Sequence, residues 1–137
     1  MKVLFLDIDG VCNSQESFMQ RAEPDPIDKH MARRVRQIVE DTGCVVVLSS
    51  SWRLYPDLRS KVRHLVCEFI DVTPDERGLT DRGCEVKAWL AEHPEVERYA
   101  ILDDSSDFHK DQPLFRTNWL TGLTEDIEKQ VTSYLLQ

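Results

Sequence analysis

Short apolar runs end in acidic or hydroxyl-bearing residues along much of the chain. Residues 2–6 (KVLFL) stop at Asp7, residues 44–48 (CVVVL) stop at Ser49, and residues 99–102 (YAIL) run into Asp103 and Asp104. Runs of this length, several rich in β-branched residues, predict strands buried on both faces of a parallel sheet. A weaker fourth run covers 114–117, and 69–72 suggests an edge strand. Between them the apolar positions recur with helical spacing. Ile27, Met31, Val35, Ile38 and Val39 share one face of a helix over 26–41, and Leu58, Val62, Leu65 and Val66 do the same over 56–67. Shorter helical patterns cover 84–92 and 125–136. Strands alternating with helices require right-handed crossovers, so the expected fold is a three-layer, Rossmann-like α/β domain with a mostly parallel sheet.

The length of 137 residues fits one such domain over 1–137, with a core that needs no disulfide staples. Residues 10–25 are polar and irregular, closed by Pro24 and Pro26, and too few to form a large cap. Asp7 interrupts the first apolar run too early for a signal peptide or membrane span, which predicts a cytoplasmic protein. Cys12, Cys44, Cys67 and Cys84 have neither a CxxC pair nor a histidine at zinc-finger spacing, so reduced, mostly buried thiols are expected. A net charge of −8 argues against indiscriminate binding to nucleic acid or anionic membrane. The charge is uneven: from Lys29 to His64 eight Lys or Arg face three acids.

In Asp7-Ile8-Asp9-Gly10 two acids are separated by one residue, so on an extended chain both leave the same face and enter one pocket. A turn after a strand accounts for this tetrapeptide equally well taken alone. Asp103, Asp104 and Asp107 change the balance, because so many carboxylates at neighbouring strand ends repel one another without a cation. Hard oxygen ligands of this kind suit Mg²⁺. The metal lets a phosphomonoester approach Asp7 as nucleophile, giving an aspartyl-phosphate, while Asp9 is placed to exchange protons with the leaving oxygen and the attacking water. Ser49, with Ser50 and the backbone amides of the following turn, makes an anion cradle, although a serine helix cap has the same appearance. Arg53 is read either as a bidentate phosphate clamp or as a helix-surface charge. A balancing cation comes from Arg82 or Lys87; the antiparallel run of their helix favours Arg82.

Together FLDIDG, VVLSSSWR, RGCEVKAWL and ILDDSSD resemble the four signature segments of the haloacid dehalogenase (HAD) superfamily, across nearly the whole chain. LSSSWR, the stretch 82–90 and Gly122-Leu123-Thr124 further resemble the small capless phosphatases of nucleic-acid repair, relatives of the phosphatase half of polynucleotide kinase-phosphatase. The resemblance implies a Mg²⁺-dependent phosphatase with Asp7 as nucleophile, Asp9 as general acid/base, Ser49 on the phosphate and Arg82 or Lys87 as the basic partner. It places Mg²⁺ on Asp7, the backbone carbonyl of Asp9 and Asp103, with Asp104 or Asp107 close behind. No lysine opens its helix in the usual superfamily manner, and no GxxxxGK[ST] kinase loop is present, so end repair would need separate partner enzymes.

An uncapped edge suits a phosphate carried on something large, which makes DNA or RNA ends the leading substrate. The basic 29–64 stretch is read either as a track for the backbone or as the solvated faces of two amphipathic helices, and Trp52 and Tyr55 are candidates for base stacking, Trp52 equally for core or loop packing. The enzyme alternatives are a mononucleotide phosphatase and a protein phosphatase; a different class is a receiver-like module phosphorylated on aspartate. Position argues against the receiver, since the DxD closes the first strand and brings its own acid/base. Among the histidines, only His109 lies near the acids, two residues after Asp107. Cys12 is expected to be a poor nucleophile because nearby carboxylates raise its pKa.

Overall fold

The computed structural model of the protein describes residues 1–20, 26–75 and 80–137. Five strands appear where apolar runs predict them: β1 (Lys2–Leu6), β2 (Val45–Leu48), β3 (Asp71–Val72), β4 (Arg98–Asp103) and β5 (Leu114–Arg116). All pair in parallel in the order β3-β2-β1-β4-β5. The helices are α1 (Gln15–Gln20), α2 (Lys29–Thr42), α3 (Pro56–Leu65), α4 (Arg82–Ala91) and α5 (Glu125–Leu136), with a 3₁₀ turn at Ser51–Leu54.

Caps set the helix boundaries. Asp28 accepts from the amides of His30 and Met31 to start α2, and Pro56 supplies a preset first turn for α3. Asp81 accepts from the Cys84 amide, so α4 begins at Arg82, two residues earlier than apolar spacing alone suggests. That shift puts Arg82 in the first turn. The expected irregular segment 10–25 also contains more structure than its polarity implies. Ser14 and Ser17 exchange hydrogen bonds at the head of α1, a short helix built on polar contacts rather than on an apolar face. Pro24 and Asp25 lie outside the described residues. Between β1 and α2 the described residues form no element larger than α1.

Alternation along β1 divides the core into two layers. Leu4 and Leu6 face α2, α3 and α5 through Val35, Ile38, Val62 and Val131. Val3 and Phe5 face α4 through Val86 and Trp89, whose ring meets Phe5 edge-on at 5.5 Å between centroids. From β1 the chain moves outward to β2 and β3, then returns across the sheet to β4. The carboxyl ends of β1 and β4 therefore flank the point where strand order reverses, where open α/β sheets bind their ligands. This order differs from the 2-1-3-4-5 order of receiver-type sheets, which removes the receiver-like alternative.

Candidate active site

Parallel register carries three candidate site residues to one edge. Leu6 pairs with Leu48 on one side and Leu102 on the other, and the ladder continues one step as the Asp7 amide donates to Leu102 O and the Ser49 amide to Leu6 O. Asp7, Ser49 and Asp103 thus end adjacent strands at the same level. All three are buried.

Carboxylate oxygens of Asp7, Asp103 and Asp104 lie within 4.8 Å of one another. Arg82 reaches into them from α4, with Nη1 2.6 Å from Asp103 Oδ2 and 3.5 Å from Asp7 Oδ1. When all three acids ionise, one guanidinium leaves two negative charges uncompensated. The electrostatics reflect this. Burial first, and then the charge of Asp103, hold the Asp7 carboxyl well above the ordinary carboxylate range, against the pull of Arg82. Asp103 is raised too, mainly by burial. Desolvation opposes the charge on Arg82, but Asp7 and Asp103 outweigh it and raise the guanidinium above its usual value. Three oxygen donors with two surplus negative charges fit a hard divalent cation.

Gly10 makes the cluster possible. It turns the chain with φ of 82°, and any Cβ there would overlap the Asp104 carboxylate. Just before this turn Asp9 has partners of its own: Asn13 Nδ2 donates to its Oδ1 at 2.9 Å and the Trp52 indole donates to its Oδ2 at 3.1 Å. The two acids of the DxD are therefore held by separate partners. Asn13 also accepts from the Gly10 amide at 2.9 Å, so one side chain fixes both the turn and the acid. Its place four residues after Asp9 was the only hint in the sequence.

The Ser49 hydroxyl is buried without a hydrogen-bond partner among the described residues, a costly arrangement that a ligand oxygen would relieve. Ser50 is different. Its hydroxyl caps the 3₁₀ turn by accepting from the Trp52 amide, so its side chain is taken by the backbone.

Several expectations for this region need correction. Arg53 does not extend toward the edge: it is buried behind the serine turn, where Nη2 meets Glu85 Oε2 at 2.9 Å and its other donors serve the carbonyls of Ser49, Ser50, Thr73 and Pro74. A guanidinium so occupied cannot clamp phosphate. Glu85, with no partner evident in the sequence, is the countercharge that draws it inward. Lys87 is exposed on α4, one turn beyond the first, and Arg82 alone of the two meets the acids. Asp107 turns back toward α4, its carboxylate accepting from the Arg82 amide at 3.2 Å and its carbonyl from the Gly83 amide at 3.0 Å. It positions the helix that carries Arg82. Trp52 is buried with its indole on Asp9 and is not available for stacking, whereas Tyr55 is exposed. The basic 29–64 stretch is not a continuous track either, because Arg34 and Arg36 bind backbone carbonyls and Arg63 lies over Phe69. Cys12 is raised as expected, but burial comes first among the causes and the acids later.

On the other flank, Asp104, Arg116, Thr117, Asn118 and Trp119 line a cleft of about 510 Å³. Trp119, 41% exposed, faces Phe18 of α1 at 5.9 Å between ring centroids. No helix among the described residues is long and apolar enough to cross a membrane.

Compared with known proteins, residues 3–127 match the family described as the HAD domain in Swiss Army Knife RNA repair proteins. No curated protein and no solved structure matches the chain.

Proposed function

Since the chain belongs to the family of HAD domains found in Swiss Army Knife RNA repair proteins and is a hydrolase of the HAD phosphatase type, we propose that it removes terminal phosphate from nucleic-acid ends through an aspartyl-phosphate on Asp7, with Mg²⁺ as cofactor. Residues 1–137 act as one phosphatase domain on this reading. The observation that carries it is the convergence of the Asp7, Asp103 and Asp104 oxygens beside Arg82 at the reversal of strand order.

Asp7, Asp103 and Asp104 would hold the magnesium, which when bound supplies the positive charge that allows a phosphate dianion to approach a carboxylate. Ser49 then donates its hydroxyl to a phosphate oxygen, and Arg82 offsets charge on Asp7 and the transferring group. An Asp7 oxygen attacks phosphorus while Asp9, aimed by Trp52 and Asn13, gives its proton to the departing ester oxygen. Asp9 next takes a proton from water, whose oxygen attacks the aspartyl-phosphate, releasing inorganic phosphate and restoring Asp7.

Three features support a polymeric end. The family is one of RNA repair proteins. The described edge carries no large cap, so a long substrate can leave it. The cleft beside Asp104 offers Arg116 for a backbone phosphate and the Trp119 ring, backed by Phe18, for a base.

The test is phosphate release, with and without Mg²⁺, from 3′- or 5′-phosphorylated RNA and DNA oligonucleotides, mononucleotides and p-nitrophenyl phosphate. Asp7→Asn should lower kcat on the order of 10⁴- to 10⁶-fold on every substrate. Trp119→Ala should raise KM for oligonucleotides and leave p-nitrophenyl phosphate unaffected. Full turnover by Asp7→Asn would overturn the mechanism. Equal kcat/KM on mononucleotides and oligonucleotides would replace the polymer with a nucleotide substrate.

A further inference from the structure

Outside the reaction centre, Asp81, Cys84 and His109 converge on a point of their own. Asp81 precedes α4, Cys84 lies in its first turn, and His109 arrives from the loop after β4. His109 Nε2 is 3.3 Å from Asp81 Oδ1 and 3.5 Å from Cys84 Sγ, and one ligand atom from each residue lies within 4.8 Å of the others. The N···O contact at 3.3 Å is longer than good N–H···O bonds, which cluster near about 2.9–3.0 Å.

The two spacings from His109 Nε2 match the edges of a metal tetrahedron. Zinc bonds of about 2.3 Å to sulfur and about 2.0–2.2 Å to nitrogen or oxygen give tetrahedral edges of about 3.6 Å for S···N and about 3.4 Å for N···O. The supporting backbone is fixed on both sides. Asp81 Oδ1 accepts from the Cys84 amide at 2.7 Å, the His109 amide donates to Gln112 Oε1 at 2.8 Å, and Gln112 Nε2 returns to Gly83 O at 2.9 Å. Gly83 permits this approach, because a Cβ there would come within 2.7 Å of His109 Cδ2 and 2.6 Å of Gln112 Oε1. The Asp81 and His109 side chains are 41% and 31% exposed, leaving a fourth position open to water.

We propose that Asp81, Cys84 and His109 form a second metal site, selective for Zn²⁺ or a similar borderline-soft transition ion and separate from the all-oxygen cluster of Asp7, Asp103 and Asp104. A thiolate and a carboxylate balance the dication, neutral imidazole completes the protein ligands, and the Cys84 proton goes to solvent on binding. The ion clasps the first turn of α4, which carries Arg82, to the loop that carries Asp107. Sequence spacing hides the site, because His109 lies 25 residues from Cys84.

Co²⁺ titration of the intact protein in excess Mg²⁺ tests it, since Mg²⁺ competes for the all-oxygen cluster and not for a thiolate site. One equivalent of Co²⁺ should produce a thiolate-to-metal charge-transfer band and intense tetrahedral d–d bands. Zn²⁺ should bleach both. Asp7→Asn should leave them unchanged, whereas Cys84→Ser should abolish the charge-transfer band. His109→Gln should weaken Zn²⁺ binding, read by competition with a chromophoric chelator, by more than the roughly 10- to 100-fold that outer partners cost. Absence of the charge-transfer band in wild-type protein, or its survival in Cys84→Ser, overturns the proposal and leaves a hydrogen-bonded trio at the helix cap.

Discussion

Arg53 joins two signature segments of this chain and Arg82 joins three, and their surroundings are opposite. Arg53 and its partner Glu85 have side chains only 2% and 5% exposed, and the guanidinium donates to that carboxylate and to four carbonyls. Arg82, 29% exposed, faces a group of acids that it cannot neutralise alone. In the first region the charge is balanced inside the protein by the Arg53–Glu85 pair, although the Thr73 hydroxyl beside it is buried without a hydrogen-bond partner among the described residues. The second is held out of balance, with two carboxyls raised in pKa and a serine hydroxyl unpartnered beside them. A buried ion pair with complete partners is architecture, and a cluster with surplus charge is arranged for something that arrives.

The sharpest way to break this contrast is to remove each arginine. Arg53→Ala should lower stability by about 3–5 kcal/mol in urea unfolding, because it strands Glu85 and several carbonyls. The double substitution Arg53→Met, Glu85→Leu should recover much of that loss, and failure to do so would mean that the carbonyl contacts, rather than the ion pair, dominate. Arg82→Ala should lower kcat/KM about 10²- to 10³-fold, as expected for losing one charge-stabilising donor. With Mg²⁺ present its urea midpoint should move less than that of Arg53→Ala; the reverse order would erase the distinction between the regions.

Asp7→Asn sharpens the same point through pH. The folded-state pKa of Asp7 is raised above its unfolded value, so the associated stability is fully present below the unfolded carboxylate value and is lost as pH rises through the folded value. In chelator, Asp7→Asn should therefore melt at a higher temperature than wild type at neutral pH, and the difference should vanish on acidification below about pH 4. A pH-independent difference would locate the effect in packing. The smallest effect is expected at Lys87: Lys87→Ala should change stability and kcat/KM by less than about 0.5 kcal/mol.

Much of this was legible locally. Runs of apolar residues marked strands because both faces of a parallel sheet are buried, and the residues ending those runs marked the edge where Asp7, Ser49 and Asp103 meet. Arg53 was misread because a lone arginine after a serine turn has the same sequence appearance whether it faces phosphate or an internal glutamate. Trp52 was open to two readings, stacking on a base or packing in the core, because its ring is apolar enough for either, and its burial with the indole N–H on Asp9 decides for packing. Asn13 left little trace, since a polar residue in a turn is unremarkable until its partners are known.

The sequence alone determined the alternation of strands and helices, the residues at the strand ends and the chemistry those side chains can perform, because burial periodicity and functional groups are local properties. Tertiary structure decided the strand order that sets β4 beside β1, the choice of Arg82 over Lys87 as the cation facing the acids, the burial of Arg53 on Glu85, and the meeting of His109 with Asp81 and Cys84. These depend on how a crossover returns across the sheet and on which distant charge is near enough to compensate another. Coulomb energy and hydrogen bonding act on distance in space, and separation along the chain does not record it.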